Sequence, residues 1–498
     1  MSKAHYVLKK DLTLQDSPIP FDNTYIKLPN DFYSPATPDT PPSPQLIIYN
    51  KILGQELGLK NMSDTELTNI FSGKTTPEGA KPVAMIYSGH QFGHFSPRLG
   101  DGRALLIGEV INKQNNHIDI HMKGSGPTEY SRRGDGKATL GPVLREYLVS
   151  EAMHKLGVPT TRALAATLTG EAVQREELLP GGVITRTSES LIRVGTFELF
   201  ARHGDLINLK KLLNYTVNRN FPELKQSPDL ALDFFKNVMK LQASLTAKWM
   251  SIGFIHGVMN TDNSSIIGTT IDYGPCAFMD HFDSNRVFSF IDKKGRYRYN
   301  NQPTITHWNL SRLAECLIVT YDEKDQEQAV IKFEEALDSF ESTFSGEWLN
   351  YFTPKFGVLK PEATDMALIK TWLDYIEKEN LDFTNSFVNL SKSLKEPTDF
   401  FKRNEEFNNF YSLWNNRLNK QGASPDTTIK LMSKTNPIYI PRNHLIEEMI
   451  SEAINGSFDS FHEFNKILST PFNEQDVSEK YKLPPSSEQI VPATFCGT

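Results

Sequence analysis

Asp262-Asn263 and Asp272-Tyr273-Gly274 put two carboxylates and an amide oxygen into one short stretch of chain. Such hard oxygens are the ligands Mg²⁺ prefers, which makes Asn263 and Asp272 a candidate metal pair. Far upstream, Lys123 is followed 23 residues later by Glu146. A glutamate that pairs with a lysine holds the ammonium towards a phosphate chain. Arg186 and Arg193, seven residues apart, offer two planar forks to phosphate oxygens, although alone they would read as charges on a strand surface. In Leu99-Gly100-Asp101-Gly102-Arg103 the two glycines let backbone N–H groups approach an anion, and Arg103 adds charge. The combined chemistry is phosphate handling with a divalent cation.

The elements that position these groups follow from periodicity. Residues 104–111 read as a buried strand, 112–116 as a turn, and 117–123 alternate with period two as its partner. Residues 141–156 read as a helix with Leu144, Tyr147, Leu148 and Met153 near one face, stopped by Gly157-Val158-Pro159. Strand-like runs follow at 162–168 and 182–187. A long helix over 228–252 leads into Gly253-Phe254-Ile255-His256-Gly257, and Ile266-Ile267 suggests a short strand. More helices are expected near 308–320, 325–345, 361–380 and 443–455. Eight prolines within residues 18–45 exclude regular helix or central strand there and imply an extended or mobile arm. The fold class is α+β, a small strand-rich part followed by a large helical part.

Composition excludes several functions. The 498 residues carry a net charge of −7, which argues against a dedicated nucleic-acid binder. No apolar run reaches the roughly 18 residues of a membrane span. Three cysteines are too few for a disulfide framework, and the start lacks a secretory pattern, so a cytoplasmic enzyme is expected. Gly136-Lys137 fails as a P-loop, because Ser131 replaces the first glycine and Ala138 the metal-binding hydroxyl. Gly124-Ser125-Gly126 lacks the third glycine of a dinucleotide fingerprint. His90 and His94 have helical zinc spacing, but Gly89 and Gly93 disfavour a helix, and two histidines bonded in a loop is the preferred reading.

Glycine-rich turn, Lys, Glu, Asp-Asn and Asp-aromatic-Gly occur in the order that kinase-like folds use. One part departs from it. Val258 stands where a protein kinase has its catalytic-loop aspartate, and the nearest carboxylate is Asp262. The interval from Asn263 to Asp272 is also short. Metal and phosphate handling are kept while hydroxyl activation is rearranged.

The chain resembles the selenoprotein O family, whose bacterial members are often called the YdiU family. The shared strings are Tyr87-Ser88-Gly89-His90-Gln91-Phe92-Gly93, Gly100-Asp101-Gly102-Arg103, Lys123-Gly124-Ser125-Gly126, Arg132-Arg133-Gly134-Asp135-Gly136 and His256 to Asn263. Arg186 and Arg193 belong to the same pattern, and Pro441-Arg442-Asn443-His444 extends it thinly towards the end. The resemblance implies a bilobal kinase-like fold. Residues 1–78 would be an arm and extension, 79–195 an N-lobe, 196–350 a helical C-lobe, and 351–498 a helical extension. It also implies AMP transfer from ATP to protein Ser, Thr or Tyr hydroxyls by a monomer, with ATP reversed relative to a protein kinase.

Carried over by position, Gly100, Gly102, Arg103, Lys123, Asp135, Gly136, Arg186, Arg193 and Asp272 contact ATP, and Glu146 pairs with Lys123. Asp262 is the proton acceptor, and Asn263 and Asp272 hold Mg²⁺, with Mn²⁺ as the alternative. Some members carry selenocysteine near the C-terminus. Cys496 stands near the end here and implies a redox switch, with Cys276 as its partner, although the usual serine-rich ending is absent. Two other readings remain open: a kinase passing the γ-phosphate, and a non-catalytic nucleotide-binding scaffold.

Overall fold

The computed structural model describes residues 17–395 and 400–495. A proline-rich chain is short of backbone donors, so it can pair only at sheet edges. The arm accordingly gives two edge strands, β1 (Tyr33–Pro35) and β2 (Gln45–Tyr49). Helices α1 (Lys51–Glu56) and α2 (Asp64–Phe71) follow, then β3 (Val83–Met85) and a separate hairpin of β4 (Gly89–Gln91) and β5 (His94–Ser96). The sheet continues with β6 (Ala104–Ile111), β7 (His117–Lys123), β8 (Ala138–Thr139), β9 (Arg162–Gln174) and β10 (Leu178–Ser188). Between β8 and β9 runs α3 (Leu140–Lys155). The spatial order is β1-β3-β6-β7-β10-β9-β2 with β8 beside β10, so the arm caps both ends of the sheet.

The alternation in β7 sorts its side chains, but not between core and solvent. Ile118, Ile120 and Met122 enter apolar clusters, whereas Asp119 and His121 are buried among charged partners. The same register sets Arg186 of β10 opposite His121 and Ile184 opposite Lys123. Lys123 and Arg186 therefore share one face of adjacent strands.

Helices α4 (Val194–Arg202), α5 (Leu206–Asn220) and α6 (Leu230–Ser251) come next. Leu232, Phe235, Val238 and Met239 of α6 are buried, as their helical spacing requires. Two short strands, β11 (Phe254–Ile255) and β12 (Ala277–Phe278), pair antiparallel and frame the loop from 256 to 276. The strand expected at Ile266-Ile267 does not form. Ser265 makes a single bridge to Arg193, and Ile266 sinks into the core after its N–H bonds Ile192 O.

The remaining helices are α7 (Gln302–Ile318), α8 (Gln326–Asp338), α9 (Phe340–Phe352), α10 (Asp365–Lys378), α11 (Phe383–Lys392), α12 (Glu405–Gln421), α13 (Pro425–Thr435), α14 (Asn443–Ile454) and α15 (Asp459–Leu468). The helix expected over 325–345 is thus two, broken at Ser339. Helices α14 and α15 return to pack on α3 in a shared apolar core. Arg442, fully buried just before α14, bonds Asp382 Oδ2 at 2.8 Å and also Asp280, which gives Pro441-Arg442-Asn443-His444 a structural role. The architecture is α+β. Among the described residues no helix is long and apolar enough to cross a membrane.

Candidate active site

A cleft of about 670 Å³ opens between the sheet, α3 and the 256–276 loop. All twelve residues singled out from the sequence line it: Gly100, Gly102, Arg103, Lys123, Asp135, Gly136, Glu146, Arg186, Arg193, Asp262, Asn263 and Asp272.

At its centre three cations share the buried carboxylate of Glu146 and the half-buried one of Asp272. Lys123 Nζ lies 2.7 Å from Glu146 Oε2 and 3.4 Å from Asp272 Oδ1. Arg186 Nη1 bridges Glu146 Oε1 at 2.8 Å and Asp272 Oδ1 at 2.6 Å. Arg193 reaches Asp272 Oδ2 at 3.8 Å and Asp101 Oδ1 at 3.7 Å, and its guanidinium stacks 4.3 Å from the Tyr87 ring centre. Both arginines are buried, so they are not the surface charges their spacing alone would suggest. Burial alone would raise the Asp272 carboxyl, but Arg186, Lys123 and Arg193 hold it well below the usual carboxylate range. Glu146 is held low in the same way, by Lys123 and Arg186 against burial. Asp272 adopts φ of +61°, a left-handed conformation that turns its carboxylate into this cluster.

A second layer orients Arg186. Its Nε donates to His121 Nδ1 at 3.1 Å, so the imidazole proton sits on Nε2, which donates to Asp101 Oδ2 at 2.9 Å. Burial lowers the His121 pKa and keeps the ring neutral. Asp101 also accepts from Met85 N–H and Tyr87 OH, both at 3.3 Å. Sequence reasoning read Gly100-Asp101-Gly102 for its glycines and passed over the aspartate between them. The glycines serve close packing: a Cβ on Gly100 would lie 2.5 Å from the Tyr130 ring, and one on Gly102 2.8 Å from Tyr130 O. The N–H groups of Asp101 and Gly102 are not aimed at a ligand but bond Met85 O and Gly100 O.

Asp262 sits in a short 3₁₀ turn, Thr261–Asn263. Its Oδ2 accepts from Gln91 Nε2 at 3.0 Å, while Oδ1 is buried without a donor. Burial pushes its pKa up to about 6, opposed by the Gln91 hydrogen bond and by Arg193. A carboxylate so placed is suited to accept a proton. Gln91 was not singled out, although it lies in the string from Tyr87 to Gly93.

Two of the residues are less central. Asp135 is at the rim, its carboxylate held by both Arg175 nitrogens at 2.7 and 3.0 Å. Gly136 has φ of +66°, and a Cβ there would lie 2.1 Å from Gly126 O, so it shapes the rim. Cys496 lies outside the described residues, and Cys276 is buried.

Two oxygens suit a hard cation. Asn263 Nδ2 donates to Val258 O at 3.1 Å, which leaves Oδ1 for a ligand. Asp272 Oδ1 is taken by Arg186 and Lys123, but Oδ2 has only Arg193 beyond hydrogen-bond distance. Among the described residues no group of three His, Cys, Asp or Glu side chains forms a metal cage by itself.

The family model described as protein adenylyltransferase SelO matches residues 17–471. A protein nucleotidyltransferase YdiU of Ruegeria sp. (strain TM1040) is 47% identical over 480 residues, covering 96% of this chain and 99% of that one. Its counterpart in Roseobacter denitrificans is 47% identical over 479 residues with the same coverage. That of Nitrosococcus oceani is 46% identical over 481 residues, covering 96% and 97%. Matched over nearly its whole length by that family model and by these relatives, the chain belongs to the SelO family of protein nucleotidyltransferase enzymes.

Proposed function

We propose that this enzyme transfers AMP from ATP to a Ser, Thr or Tyr hydroxyl of a protein, in a kinase-like bilobal fold with reversed ATP. One observation carries the reading: Asp262, with a buried and unpartnered Oδ1, shares a cleft with Lys123, Arg186 and Arg193. The hydroxyl oxygen attacks the α-phosphorus and its proton passes to Asp262. The bond from the α-phosphorus to the bridging oxygen breaks, and pyrophosphate leaves. Lys123, Arg186 and Arg193 stabilise its charge. Asn263 and Asp272 would hold Mg²⁺, or Mn²⁺, against the phosphates, and the cation would supply further charge neutralisation. Because Asp101, Glu146 and Asp272 offset the three cations of the resting cleft, a cation on Asp272 would leave the site net positive for a triphosphate.

The test uses ATP labelled separately at the α and γ positions, with extract proteins as acceptors. Retention of α-label only on protein is expected. Transfer of γ-label alone would make the enzyme a kinase, and transfer of neither would make it a nucleotide-binding scaffold.

A further inference from the structure

The β4–β5 hairpin has so far no part in the chemistry, yet it grips the loop that carries Asp262 residue by residue. Phe92 N–H donates to Asn260 Oδ1 at 3.0 Å, His90 N–H to Thr261 Oγ1 at 2.7 Å, and Gln91 Nε2 to Asp262 Oδ2 at 3.0 Å. Three consecutive hairpin residues thus hold three consecutive loop residues. Behind them Glu198 of α4, fully buried, bonds both His90 Nδ1 and Thr261 Oγ1. Tyr297 OH adds a 2.6 Å bond to Asn260 Oδ1. The hairpin backbone also lies against the carboxylate: a Cβ on Gly89 would sit 2.9 Å from Asp262 Oδ1. Only glycine fits at that position, because the hairpin backbone closes over the oxygen that has no donor.

The two oxygens of Asp262 are therefore inequivalent, and Gln91 makes them so. We propose that Gln91 is a positioning residue for Asp262: by holding Oδ2 it fixes the orientation of the carboxylate that takes the acceptor hydroxyl's proton. The claim rests on the transfer reading above. A primary amide suits the task because it donates to the carboxylate without adding a charge to the cleft. Without it the carboxylate can rotate, and a general base that is out of line loses most of its effect.

The test uses full-length protein with Gln91→Leu, which keeps most of the bulk but removes the donor, and Gln91→Ala. Transfer of α-label is followed against ATP concentration, together with melting temperature. Both variants should lose about 10- to 100-fold in kcat, the worth of one hydrogen bond to a charged group, with KM for ATP and melting temperature unchanged. A kcat within about twofold of wild type would overturn the proposal, as would a loss confined to KM. Crystal structures give a readout that needs no activity. In Gln91→Ala the Asp262 carboxylate should leave its present orientation, and an unmoved carboxylate would overturn the proposal. If wild-type protein moves no α-label, the transfer reading fails on its own, and the variant structures still decide the positioning claim.

Discussion

In the proposed transfer Asp262 and Lys123 have separable roles, and single substitutions should separate them. Asp262→Ala should abolish transfer of α-label while ATP still binds, which calorimetry can show. Unchanged transfer would remove Asp262 from the chemistry. Lys123→Met should weaken ATP binding by about tenfold or more, because it removes a charge-assisted contact and leaves Glu146 to Arg186 alone. Unaltered affinity would take Lys123 out of the nucleotide site. These residues were legible because their types are chemically telling and stand in compact strings. Asp101, His121 and Gln91 were not, because each acts through a side chain distant in sequence. His121, for example, is set by Arg186, which is 65 positions away.

At the scale of elements, the pattern of β7 gave its pairing with β6 but not its surroundings. Alternation normally separates core from solvent, and here both faces are buried. Asp119 is met by Arg219 from α5 at 2.5 Å and by Leu191 N–H at 3.0 Å, while Glu109 of β6 bonds Arg219 and the backbone N–H groups of Thr24 and Tyr25 in the arm. One arginine thus serves two buried carboxylates. Burial pushes the Asp119 pKa up to about 7, with Arg219 opposing and Glu109 adding to the rise. An unfolded Asp titrates near about 3.9. Between these values the native state keeps a proton that the unfolded chain has lost, so this group's contribution to stability falls as pH rises through the window. The melting temperature of Asp119→Asn relative to wild type should therefore increase from about pH 5 to about pH 7.5. A constant difference would show that Asp119 does not hold the proton.

For the whole molecule, the helical C-terminal part is tied to the rest by more than apolar packing. Arg442 is fully buried between Asp280 and Asp382, and its Nη2 also donates to Lys482 O at 2.9 Å. Arg442→Met should cost about 3 kcal/mol in denaturant unfolding, because it leaves two half-buried carboxylates without their cation. A loss below about 1 kcal/mol would show that the clamp is dispensable. Sequence periodicity anticipated α7, α10 and α14 but not α11 to α13 or α15, nor that α14 and α15 return to α3, since tertiary docking leaves no local pattern. Net charge was similarly coarse. The overall −7 hides a segment, residues 98–193, with thirteen Lys and Arg against eleven Asp and Glu, and most of the cleft comes from it.

The most direct test of the central claim is the intact mass of acceptor proteins after incubation with this enzyme, ATP and Mg²⁺. An adenylyl increment is expected with wild-type enzyme and none with Asp262→Ala. A phosphoryl increment, or an adenylyl increment that persists without Asp262, would contradict it.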